Sequence, residues 1–185
     1  MTTSWRQKRT VMRSYDSTAR IYDKRYSEEQ EAKYKSAIEN VQLMGKILDV
    51  GCGSGLFFKH VANTAEIVVG VDSSRKLLLE SQKHVRSLSS VQLVQADADH
   101  LPFSQEIFDV VFAFTMLQNM PKPAETLREF TRVAKLAAQV VVSGLKKIFS
   151  AESFRELLED AGLCSTSIMD SPSLKCYIAL SRCQK

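Results

Sequence analysis

From Lys46 onward, short apolar runs alternate with longer segments whose apolar residues recur every third or fourth position. The runs at 47–50, 66–72, 91–96, 109–114, 139–143, 165–170 and 175–181 have the length and β-branched content of strands. Four of them are apolar throughout or nearly so, as a strand buried on both faces requires. Helical periodicity falls at 56–65, at 75–88 with Leu77, Leu78, Val85 and Leu88 inward, and at 123–136 with Leu127, Phe130 and Val133 inward. A last helix at 151–161 stops at Gly162, a residue suited to the left-handed C-terminal position. Ser73-Ser74 supplies the N-cap of the 75–88 helix. Ahead of Lys46, residues 5–41 read as helical, with Tyr15, Ala19, Tyr22 and Tyr26 along one face and a second helix at 28–40. Alternating strands and helices predict an α/β fold, a doubly wound, mostly parallel sheet of seven strands with helices on both faces.

The turn after the first strand carries the most chemistry. Gly51, Gly53 and Gly55 stand at alternate positions between Asp49-Val50 and Leu56-Phe57-Phe58. Glycines permit a tight turn and close approach of backbone to a ligand, and the following helix directs free N–H groups at that turn. The third glycine arrives one residue early for a dinucleotide fingerprint, and no Gly-Lys-Ser/Thr is present for a P-loop. Asp49 would repel a pyrophosphate and suits a ligand with a cationic head. Asp72 ends the second strand 21 residues past Gly51, the offset of an acid that accepts from ribose hydroxyls.

This Asp-x-Gly-x-Gly-x-Gly turn resembles the first motif of class I S-adenosylmethionine-dependent methyltransferases. The later phrase Asp97-Ala98-x-x-Leu101-Pro102-Phe103 … Phe108-Asp109-x-Val111 looks strongly like the same family, and the likeness spans nearly all of the chain. It implies a Rossmann-like sheet with an antiparallel C-terminal edge hairpin and one domain over 1–185. Within it, 1–44 would be an N-terminal helical lid and 45–185 the cofactor-binding core. It further implies that S-adenosylmethionine is held by Asp49, Gly51, Cys52, Gly53, Gly55, Asp72, Ser73, Asp97, Ala98 and Thr115, with Tyr22 covering it from the lid. Asp97 would face the adenine amine.

The acceptor side departs from the pattern. Many quinone-biosynthesis methyltransferases carry His-His where this chain has Gln118-Asn119. Amides do not act as bases at neutral pH but do orient N–H groups. Gln118 and Asn119 are therefore the expected catalytic pair for a nitrogen acceptor, a base amine of ribosomal or transfer RNA. His60 and His84 fall on helices, and His100 is the histidine expected near the cofactor. A small-molecule acceptor of the quinone type is the alternative, and a non-catalytic cofactor-binding subunit a third.

Length, composition and charge then adjust the picture. At 185 residues one core suffices, and the longest apolar runs are far too short to span a bilayer. No signal-peptide apolar region is legible at the N-terminus. Four cysteines without Cys-x-x-Cys spacing argue against zinc and for a reducing, cytoplasmic setting. The net charge of +4 is concentrated in Arg6, Lys8, Arg9, Arg13, Arg20, Lys24 and Arg25, a basic arm able to meet RNA phosphate. The resemblance adds a partner: some compact methyltransferases pair with a small zinc-ribbon activator at the third-strand edge, here 91–96.

Overall fold

The computed structural model describes residues 3–184. Helices α1 (Thr3–Thr18) and α2 (Tyr22–Ile38) are joined by a 3₁₀ turn at Ala19–Ile21. The chain then enters β1 (Lys46–Val50), α3 (Phe58–Val61), β2 (Ile67–Asp72), α4 (Arg75–Val85), β3 (Val91–Gln95) and β4 (Phe108–Ala113). A 3₁₀ turn at Leu117–Asn119 leads to α5 (Pro123–Val133), β5 (Ala134–Leu145), α6 (Ala151–Glu159), β6 (Leu163–Met169) and β7 (Cys176–Cys183). The seven strands form one sheet in the order β3-β2-β1-β4-β5-β7-β6. All pairings are parallel except those of β7, which runs antiparallel to both β5 and β6.

The strands and their types follow the apolar runs, and three details differ. The N-terminal helical segment breaks not ahead of residue 28 but at 19–21, where a 3₁₀ turn buries Ala19 before α2 begins at Tyr22. The first crossover helix is a single turn, since the glycine loop extends through residue 57. Strand β5 begins at Ala134, directly after α5, and meets Phe108 across a register shift in which Ala137 takes φ 60. In the C-terminal pair it is β6 that forms the sheet edge, because β7 inserts against β5.

Period-two alternation along the central strands divides the core into two layers. Leu48, Val50, Val111, Val140 and Val142 face Leu127 and Phe130 of α5 and Phe154 and Leu158 of α6. Ile47, Val110, Phe112 and Val141 face Tyr34 and Ala37 of α2 and Phe57, Phe58 and Val61. The cap suggested at Ser74 is present, its Oγ accepting from Leu77 N at 3.1 Å, and Ser150 adds a capping box with Ser153 at the start of α6. Gly162 stands at φ +84 after α6. Among the described residues no helix is long and apolar enough to cross a membrane.

Candidate cofactor cleft and acceptor pocket

The strand order reverses at β1 and β4, so the loops after β1, β2, β3 and β4 open onto one crevice at the carboxyl edge, where open α/β sheets bind ligands. A cavity of about 370 Å³ fills it. Its floor is Gly51, Gly53, Asp72, Ser73, Asp97 and Ala98, and its far wall is Thr115, Met116, Asn119 and Met120. One face of α1, carrying Trp5, Lys8, Arg9, Met12 and Tyr15 at helical spacing, roofs it, with Tyr22 beside them.

The glycine turn is tied to β2 rather than free. Gly51 N and Cys52 N both donate to Val71 O, at 2.7 and 3.0 Å. Gly53 N donates to Asp72 Oδ2 at 3.0 Å and Ser74 N to Asp72 Oδ1 at 2.8 Å, so one carboxylate gathers the turn and the start of α4. Gly51, Gly53 and Gly55 all have positive φ, but for different reasons of space. A Cβ on Gly55 would stand 2.4 Å from Ser81 Oγ, whereas one on Gly53 would meet only the Tyr22 ring, at 3.8 Å. Gly55 and Cys52 therefore lie behind the cavity wall, in packing. The Cys52 thiol is buried, and burial holds its ionisation well above the usual thiol range, which fits a filler and not a nucleophile.

Asp49 also sits behind the turn, 2% exposed, in register with Gly70 and Phe112. Burial, and then the neighbouring Asp72, push its carboxyl up to about 8. A folded value above the unfolded one means that protonated Asp49 favours the fold at low pH. That contribution drains away as pH rises from about 4 through about 8. The ligand-free protein is expected to lose stability across this window, and Asp49→Asn to flatten the decline. Urea unfolding at a series of pH values checks it, and an unaltered slope in the variant would place the titration elsewhere.

Two predicted ligand groups are engaged by the N-terminal helices. Lys8 Nζ of α1 reaches Asp97 at 2.7 and 2.8 Å and also pairs with Asp99. Asn119 Nδ2 donates to Tyr15 Oη at 3.1 Å, which ties the far wall to the roof. Ser74 Oγ donates to Asp16 at 2.5 Å. The basic arm is thus divided: Lys8 turns inward and Arg9 lines the cavity, while Arg6, Arg13, Arg20, Lys24 and Arg25 are exposed.

Other expectations need correction. Gln118 does not line the cavity; its Nε2 donates to Thr115 O at 2.6 Å and closes the 3₁₀ turn. Among the described residues its Oε1 is buried without a hydrogen-bond partner. His100 is exposed and away from the cavity, because its backbone turns back against Asp97. His84 is the histidine at the glycine turn, with Nδ1 2.8 Å from Ser54 O and Nε2 3.3 Å from Asp23 of α2. Ser54 Oγ closes that link by donating to Asp23.

The described geometry meets its likeness in known proteins. A family described as "Methyltransferase domain" matches residues 48–142. This chain belongs to that family.

The methyltransferase is 37% identical over 106 residues to demethylmenaquinone methyltransferase of Staphylococcus saprophyticus, covering 55% of this chain and 45% of that protein. It is 30% identical over 136 residues to phosphatidylethanolamine N-methyltransferase of Cereibacter sphaeroides, covering 71% of this chain and 66% of that protein. The chain therefore spans less than two thirds of either relative. In fold it matches a DhpI–SAH complex at a TM-score of 0.81, with 20% identity over 98% of this chain and 99% of that one. It matches a methyltransferase solved with the Haloferax volcanii Trm112 activator at a TM-score of 0.79, with 16% identity over 92% and 98%. Residues 48–142 are thus a methyltransferase domain, of the class that uses S-adenosylmethionine as its cofactor. The cradle fits that cofactor: two left-handed glycines face the cavity, and an acid with further acceptor capacity stands beside them.

Proposed function

We propose that this methyltransferase modifies a small molecule with an apolar body, bound between the far wall and the α1 roof. The observation that carries the reading is the lining of the cavity. Trp5, Val11, Met12, Met116 and Met120 give it apolar surface, and Asn119 and Tyr15 are polar groups that bond each other in the same lining. Methionines adapt to irregular apolar shapes, and a few placed polar groups set orientation. The relatives named for a menaquinone precursor and for phosphatidylethanolamine support an acceptor of this kind.

In this proposal Asp72 takes the ribose hydroxyls, Gly51 and Gly53 admit the methionine portion, and Asp97 and Ala98 meet the adenine. Ser73 and Tyr22 border it, and the bound ammonium favours the ionised form of Asp49 behind the turn. The cofactor supplies an electrophilic methyl group, and the protein aligns the acceptor and excludes water.

The Lys8 pairing makes α1 a clasped roof that must loosen for exchange of ligands. Hydrogen exchange across residues 15–26 should slow several-fold on adding S-adenosylhomocysteine, and Lys8→Met should quicken it in the free protein. Equal exchange in all three states would return α1 to ordinary packing.

A nitrogen acceptor in RNA, aided by an activator, is the second reading. One observation favours it: β3 pairs on one side only, leaving an edge with Val91, Leu93 and Val94 half-buried. Transfer of radiolabelled methyl into RNA, protein and small-molecule fractions of a lysate separates the two. Label confined to RNA, above all after addition of a Trm112-type protein, would replace the first reading with the second.

A further inference from the structure

Lys33 is 1% exposed, yet it is held by neutral groups. Its Nζ lies 2.5 Å from Thr115 Oγ1 and 3.2 Å from Gln30 Oε1, and among the described residues no carboxylate lies within ion-pair distance of it. The charged and titratable groups around it do not supply one. Glu29, on the same helix, is held by Lys175 at 3.1 Å, and Cys176 of β7 is a buried thiol. Taking an ammonium with no carboxylate partner out of water is unfavourable, which shifts such a lysine towards its neutral amine. Burial accordingly pulls Lys33 below the usual lysine range. A residue needed for packing alone would be served by Met or Leu at this position.

Its partner is built with equal care. Thr115 has φ 55, a left-handed conformation that a β-branched residue adopts only under constraint. Both of its backbone groups are pinned: Ser143 Oγ accepts from Thr115 N at 2.7 Å, and Gln118 Nε2 donates to Thr115 O at 2.6 Å. The result places Thr115 in the cavity wall beside Asn119 with its hydroxyl on Lys33. On the other side, Gln30 Nε2 reaches Tyr22 Oη at 3.4 Å, so the buried polar chain touches the cavity at both ends.

We propose that Thr115 and Lys33 form a proton relay that serves a hydroxyl acceptor in this pocket. The inference rests on the small-molecule reading and adds the acceptor atom. The acceptor O–H proton passes to Thr115 Oγ1 as the Thr115 hydroxyl proton passes to the Lys33 amine, which becomes an ammonium. The freed oxygen pair bonds the methyl carbon, and the carbon–sulfur bond breaks with its electrons going to sulfur. Thr115 is unchanged at the end, and Lys33 returns its proton to solvent between turnovers. Lys33 acts through Thr115 and is a positioning residue for the proton; Thr115 is the group that touches the acceptor.

Two measurements test the relay in the full chain. In protein labelled with ¹³Cε-lysine, the signal lost in Lys33→Met should keep a neutral-amine shift at pH values where the other lysines are charged. A Lys33 signal that titrates with the rest would overturn the proposal, whatever the activity. In methyl transfer to catechol, Lys33→Met and Thr115→Ala should each lower kcat about 100-fold at pH 7. The loss should shrink as pH rises towards the probe's own ionisation. Thr115→Ser should hold near the wild-type rate, and Lys33→Met, which lies behind the cavity wall, should bind S-adenosylhomocysteine within twofold of wild type. Folded variants that keep both rate and pH profile would overturn it, as would methylation of 2-aminophenol on nitrogen with catechol untouched. The last outcome leaves the small-molecule reading standing. Label on RNA, with neither probe methylated, overturns both.

Discussion

Replacing Asp72 with alanine is expected to weaken S-adenosylhomocysteine binding by 100-fold or more. The carboxylate closes β2 and already accepts from Gly53 N and Ser74 N. A carboxylate has about four lone-pair sites, so acceptor capacity is left for two ribose hydroxyls. Hydrogen bonds to a charged group are worth roughly 1.5–3 kcal/mol each, and two of them correspond to the stated loss at about 1.4 kcal/mol per tenfold. The variant also leaves Gly53 N and Ser74 N without their acceptor and so loosens the turn that faces the ligand. Asp72→Asn, which keeps one acceptor oxygen, should fall between the two. Calorimetric titration reads the effect directly, and an unchanged affinity in Asp72→Ala would remove this residue from the cofactor site.

Gly55→Val is expected to cost roughly 2–5 kcal/mol of folding stability. Two terms add. The residue must hold φ +83, a conformation that penalises any Cβ, and that Cβ would enter space held by Ser81 Oγ and the Phe58 ring. Gly53→Ala carries only the first term, because its Cβ meets the Tyr22 ring at 3.8 Å. It should therefore stay folded, with a cost of about 1–2 kcal/mol, and show its defect in a smaller ligand-induced rise in unfolding temperature. Urea unfolding of both variants without ligand separates packing from binding. Equal stabilities would contradict the division of these glycines into one that admits a ligand and one that admits a helix.

Much of this division was out of reach of the motif. Three glycines at alternate positions read as one cradle, whereas the residues that separate their roles, Ser81 and Tyr22, lie on α4 and α2. The histidines show the same effect. His100 is nearer in sequence to Asp97, but its loop turns it outward, while His84 reaches the glycine turn from the far side of a crossover. Asn119 lines the cavity, whereas Gln118, one residue earlier, points its amide into its own turn.

Lys33 carries a signal in the pattern of α2 itself. Gln30, Lys33, Tyr34 and Ala37 are all buried and share one helical stripe, so a lysine stood at a core position of α2. A charged residue inside an apolar period is the pattern of a buried polar group with a partner elsewhere.

The amino-acid sequence by itself determined the class of fold, the strand series and the acids at the strand ends, together with the glycine turn after β1. These depend on local period and on chemistry within a few residues, which a chain displays without folding. The tertiary structure alone decided which side chains meet. Lys8 finds Asp97 across 89 positions, Lys33 finds Thr115 across 82, and Asn119 finds Tyr15 across 104. Periodicity states that a face is buried and never against what; the partner of a polar group is set by the path of the helices over the sheet.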